Sequence, residues 1–129
     1  MDNPKNNRAE EILKEMCKHY GEDLVKEAGH DLSIEFGLED LDAPFSSAGK
    51  IIFEWNNLDR KTKEFIIIAC NICQMYSVGI NAHVRGAIKA GATRGELVEV
   101  IGIAGLIAGT PNLLTALKAC APELRTLKK

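Results

Sequence analysis

The chain predicts an all-α fold, a compact bundle of about six or seven helices. Three observations carry that expectation. Apolar residues recur at helical spacing through most of the length, no stretch alternates with period two, and Gly, Pro and Asp/Thr residues fall at cap positions between the runs. With 129 residues the chain is expected to form a single domain, 1–129, long enough to bury a real core. Hydrophobic residues at 46% and charged residues at 26% are ordinary for a globular protein.

The elements follow in order. Ile12, Leu13, Met16, Tyr20 and Leu24 form an i, i+4 stripe with Glu and Lys opposite, an amphipathic first helix ending near Gly29. Residues 30–44 read as shorter pieces with turns at Gly37 and Asp42-Ala43-Pro44. A second helix from Ser46 or Ser47 to Trp55 is expected to bury Ile51, Ile52 and Trp55. Asn56-Asn57 marks the next turn, and Asp59 is a good N-cap for a helix starting at Arg60.

That helix, KTKEFIIIACNICQMY, is apolar around most of its circumference and is expected to be the central, most buried element. Gly79 is expected to interrupt the pattern before INAHVRGAIKA resumes it as far as Gly91, a C′ glycine. Thr93 and Glu96 make a capping box ahead of LVEVIGIAGLIAG. Pro111 suits the first turn of a last helix, with Thr110 as its cap. Gly102, Gly105 and Gly109 each cost a helix roughly 1 kcal/mol against alanine. Their presence points to close approach of a neighbouring helix, either inside one subunit or between subunits.

Charge and flanks exclude several functions. Lys+Arg 16 against Asp+Glu 18 leaves a net charge of −2, so no basic field exists to hold nucleic acid or an anionic membrane. The start, MDNPKNNRAEE, is polar with no apolar stretch behind it, which argues against a secretory signal. The run from Leu97 to Ala108 is broken by Glu99 and by glycines and is too short to span a membrane. A cytoplasmic location is expected. The four cysteines are too sparse for a secreted disulfide scaffold, and Cys17 and Cys120 read as small buried hydrophobes. No ligand spacing suits a metal and no glycine-rich loop suits a nucleotide, so neither a metal nor another cofactor is expected. His19 and His30 have no constellation around them.

Four segments in register carry a resemblance: LDRKTKEF, then NAHVRGAIKAGAT, then ELVEV, then the GTP turn. From Leu58 to about Lys118 the chain resembles the core of the carboxymuconolactone decarboxylase superfamily, which includes the alkylhydroperoxidase D-type thiol enzymes. Residues 1–57 match weakly and read as divergent N-terminal helices. The resemblance implies a compact helical bundle of the alkylhydroperoxidase D-like type, assembled as a homotrimer or homohexamer with sites near subunit boundaries.

In the thiol enzymes a C-x-x-C ends four residues before the histidine, and a glutamate stands twelve before its first cysteine. Counting from His83 and from Glu64 places those cysteines at Tyr76 and Gly79, so the chain resembles a thiol-less member. Positions 76, 79 and 83 share one helical stripe, where two sulfurs would stack below an imidazole. Tyr76 and Gly79 can do none of that redox work.

The C-x-x-C that is present, Cys70-Asn71-Ile72-Cys73, lies elsewhere. Nine residues put Cys73 about 180° around the helix from Glu64 and roughly 13.5 Å along it. About ten residues into an apolar helix, both cysteines are expected to be core packing, with burial raising their pKa values. A helix break near residue 70 would instead expose them at a new N-terminus, where thiols become reactive.

The decarboxylase branch needs no thiols, and its reaction calls for a general acid, cationic groups and a dry pocket. The candidate catalytic residues are His83, Glu64 and Tyr76, with Arg85 and Lys89 as candidate substrate-binding cations on one helix face. Where decarboxylases carry acidic residues ahead of the histidine, this chain has Ser77 and Gly79. The expected function is acid/base decarboxylation or lactone chemistry on a small anionic substrate. One alternative is peroxidase activity through Cys70 and Cys73; another is a family member that binds without catalysis. The plainer reading of Glu64 is an exposed helix-start residue paired with Lys61.

Overall fold

A computed structural model describes residues 4–38 and 43–129, with side chains described for 7–38 and 47–129. Among the described residues there are eight α-helices and no strand: α1 (Pro4–Tyr20), α2 (Glu22–Ala28), α3 (His30–Glu35), α4 (Ala43–Glu54), α5 (Arg60–Cys73), α6 (Ser77–Lys89), α7 (Arg94–Ala108) and α8 (Thr110–Arg125). The all-α class expected from periodicity is what the structure shows. The chain divides into two compact units, Met1–Asn57 and Leu58–Lys129.

In the first unit, α1 packs against α2, α3 and α4. The expected first helix ends at Gly29 (φ 88°) as anticipated but is split at Gly21 (φ 95°), where the positive φ is one that glycine adopts without strain. Gly49 brings α4 onto α1: a Cβ there would lie 2.6 Å from Ile12 Cγ2. That contact corrects the burial expected for α4. Ile51 lies about 200° around the helix from Gly49 and is 43% exposed, while Trp55, past the helix end, is 54% exposed. Ile52 is half-buried. Ala43 and Pro44 belong to α4 rather than to a turn, and Asp42 lies outside the described residues.

In the second unit, α5 and α6 form a helical hairpin, α5 also packs on α7, and α8 lies against α5, α6 and α7. Its core joins Ile68 and Ile72 of α5, Ile80, Val84 and Ala87 of α6, Leu97 and Ile101 of α7, and Ala116 and Cys120 of α8. The caps follow the sequence. Asp59 accepts from the Thr62 backbone N–H at 2.7 Å. Thr93 and Glu96 close a capping box. The Asp59 carboxylate is held below its ordinary range by the Thr62 backbone N–H, and that of Glu96 by the Thr93 backbone N–H. Both caps therefore stabilise their helices above the ordinary carboxylate range and lose that effect as pH falls through the lowered values.

Three expectations change here. The break between α5 and α6 is at Met75 (φ 54°), and Gly79 sits inside α6. Gly79 serves packing: a Cβ there would lie 2.5 Å from Asn71 Nδ2 and 2.6 Å from Tyr76 Cδ1. Thr110 is the first residue of α8 rather than its cap, with Gly109 (φ 130°) before it and Pro111 in the first turn. Gly102 faces open space, whereas a Cβ at Gly105 would meet Leu113 Cβ at 2.8 Å and its Cα at 2.9 Å. Close helix approach is real at Gly105 alone of those two, between α7 and α8 of the same chain.

α5 is not buried all round. Its inward stripe is Glu64, Ile68 and Ile72, at i, i+4 and i+8, while Ile66 is half exposed. The cysteine expectation fails with it, since Cys70 and Cys73 are exposed. They line an apolar groove of about 660 Å³ between α5 and α7, with Phe65, Ile66, Ile103 and Ile107 among its other walls. α5 runs unbroken through Cys73, so the motif ends a helix instead of starting one. Cys120 is fully buried and Cys17 half-buried, and burial pushes the Cys120 thiol up to about 12. A thiol reagent is expected to label Cys70 and Cys73 in the native protein and Cys120 only after unfolding. Mass spectrometry of labelled peptides reads this directly, and native labelling of Cys120 would contradict the packing described.

Candidate active site

Glu64 occupies a core position on the inner stripe of α5, and its side chain is fully buried. A carboxylate taken out of water costs several kcal/mol unless donors compensate it. A side-chain partner stands at each oxygen. Arg60 Nε donates to Oε1 at 2.6 Å, and His83 Nδ1 meets Oε2 at 2.7 Å. Arg60 and Glu64 are one helical turn apart on α5, so the ion pair follows from i, i+4 spacing. His83 comes from α6, brought across by the turn at Met75.

The His83 side chain is 13% exposed and the Arg60 side chain 25%, so the network runs from the core toward the surface. A buried carboxylate on Nδ1 orients the ring, as the carboxylate of a serine-protease triad does. Such a group can take a proton from, or return one to, a carbon or oxygen acid. The plainer reading of Glu64 is corrected: Lys61 pairs with Glu96 at 3.0 Å, and Glu64 is internal.

The other sequence candidates have surroundings of their own. Tyr76 is 41% exposed and precedes α6, with its ring against Gly79. Arg85 faces α8, donating from Nε to Glu123 Oε1 at 3.2 Å, as its two-residue offset from His83 requires. Lys89 is exposed in the last turn of α6. Asn81 donates to Glu123 Oε2 and to the Ala119 carbonyl, both at 2.7 Å, tying α6 to α8. The apolar groove between α5 and α7 contains neither Glu64 nor His83 in its lining.

Arg60 is the residue that sequence reasoning missed, having been read only as a helix start. Its i, i+4 relation to Glu64 was the available signal. Among the described residues no group of three or more His, Cys, Asp or Glu side chains is placed to hold a metal ion. No described helix is long and apolar enough to cross a membrane.

The family model described as "Carboxymuconolactone decarboxylase family" matches residues 39–121, well over half of the sequence. The chain belongs to the carboxymuconolactone decarboxylase family. Within this family the buried Glu64–His83 pair is consistent with a histidine/glutamate active site. A Paracoccus denitrificans protein described as "Uncharacterized protein 4 in cox locus" is 33% identical over 64 residues, covering 50% of this chain and 58% of the relative. The chain thus spans less than two thirds of that relative's length. No solved structure gives a significant match.

Proposed function

We propose that this carboxymuconolactone decarboxylase family member is an acid/base enzyme acting on a small anionic carbonyl or lactone compound, with His83 as the proton-transfer group. The observation that carries this reading is the 2.7 Å contact between His83 Nδ1 and a fully buried Glu64. Isolated buried ion pairs seldom improve stability over apolar packing, so this network is better accounted for by chemistry than by the fold.

In the decarboxylation this reading describes, the carbon–carboxylate bond breaks, carbon dioxide leaves, and the electron pair stays as an enolate. Protonated His83 then delivers a proton from Nε2 to that carbon and recovers one from solvent. Glu64 stabilises the imidazolium while it exists. Tyr76, Arg85 and Lys89 are carried as secondary candidates, Tyr76 for proton transfer and the two cations for substrate carboxylates. Assembly into a homotrimer or homohexamer in the cytoplasm is part of the same proposal. Ile103, Leu106 and Ile107 leave an apolar stripe on α7 that a second copy would cover.

His83→Gln is expected to abolish turnover while leaving the circular dichroism spectrum and melting temperature close to wild type. The first probe is carboxymuconolactone, followed by other small carboxylated lactones, with carbon dioxide release as the readout. Unchanged turnover in the glutamine variant would end the proposal.

The peroxidase reading through Cys70 and Cys73 has weaker support. The two thiols sit in the last turn of α5 and line the apolar groove, whose lining includes neither Glu64 nor His83.

A further inference from the structure

We propose that Arg60 is a positioning residue: it keeps Glu64 an ionised acceptor and thereby sets His83 in the tautomer with its proton on Nδ1. The catalytic consequence rests on the function proposed above, because it makes Nε2 the nitrogen that exchanges protons with substrate.

The direction of the Glu64–His83 hydrogen bond depends on the charge of Glu64. An ionised carboxylate only accepts, so Nδ1 must carry the hydrogen; a carboxylic acid could donate instead and force the opposite tautomer. Full burial by itself favours the uncharged acid. The Arg60 guanidinium, bonded at 2.6 Å to the other oxygen, favours the anion. Arg60 therefore decides which ring nitrogen faces the carboxylate with a proton.

Its placement suits the task. It is the first residue of α5, beside the Asp59 cap, so its backbone is fixed. Its side chain is one-quarter exposed, so its own charge remains partly hydrated. Of the other charged groups on α5 and α8, Lys61 pairs with Glu96, and Glu123 with Asn81 and Arg85, while Lys63 is buried on α5 next to Glu64.

The test is multiple-bond ¹⁵N NMR of the His83 ring in the full chain, at a pH above the ordinary histidine range. Wild type is expected to show the Nδ1–H tautomer. Arg60→Met and the milder Arg60→Gln are expected to shift His83 to a mixture or to the Nε2–H form, and Arg60→Lys to restore most of the wild-type signal. On carboxymuconolactone, kcat is expected to fall about tenfold in Arg60→Met with little change in KM, as for other groups acting through a neighbour. A folded Arg60→Met or Arg60→Gln protein with the wild-type tautomer would overturn the proposal. Wild type that turns over none of the lactones, yet loses its Nδ1–H tautomer in the Arg60 variants, would sink the catalytic reading and leave the role of Arg60 standing.

Discussion

Gly105→Leu is expected to lower the melting temperature by about 12 °C, the thermal equivalent of roughly 3 kcal/mol in a chain of this size. The cause is steric. A Cβ at position 105 would lie 2.8 Å from Leu113 Cβ and 2.9 Å from Leu113 Cα, so α8 backbone, and not merely a flexible side-chain tip, must move. Leucine adds three more carbons into the same closed space. Gly105→Ala is a useful control, since the collision persists but alanine's helix propensity offsets about 1 kcal/mol of it. Gly102→Ala, facing open space, is expected to be neutral or stabilising. Thermal unfolding by circular dichroism measures all three. A leucine variant that melts with wild type would show that α7 and α8 do not pack as described.

Glu64→Ala is expected to cost about 3 kcal/mol of folding stability, through a different mechanism. Removing one member of a buried charged network strands the others, and such losses typically reach several kcal/mol. The figure sits at the low end because the Arg60 side chain is one-quarter exposed and its long stem lets the charge turn toward water. Glu64→Gln keeps the shape and one acceptor oxygen, so it is expected to cost less than alanine while still impairing proton transfer. Urea unfolding of the two variants separates these effects. Wild-type stability in Glu64→Ala would show that the carboxylate is not held as the structure places it.

The candidate site was legible in proportion to how local its determinants are. Glu64 and His83 stood out because the two segments that carry them resemble the family core in sequence and spacing. The caps at Asp59 and Thr93 were equally legible, since a cap depends on residues three positions apart. Cys70 and Cys73 were misjudged because an apolar run does not reveal which side of a helix its neighbours cover. The inner stripe took Glu64, Ile68 and Ile72, leaving the cysteines facing outward. Ile51 and Trp55 were misjudged for the same reason, once Gly49 had fixed the face of α4 that meets α1.

Sequence alone determined the helical class and the capped starts of α5 and α7, because each is written in spacing along one chain segment, and the family resemblance singled out the two side chains on which the proposed chemistry turns. Tertiary structure decided what those side chains are worth. It brought His83 of α6 within 2.7 Å of Glu64 and enclosed the carboxylate completely. That enclosure made the otherwise ordinary i, i+4 partner Arg60 part of a charged network. Burial is a property of what surrounds a residue, and no window of sequence contains its own surroundings.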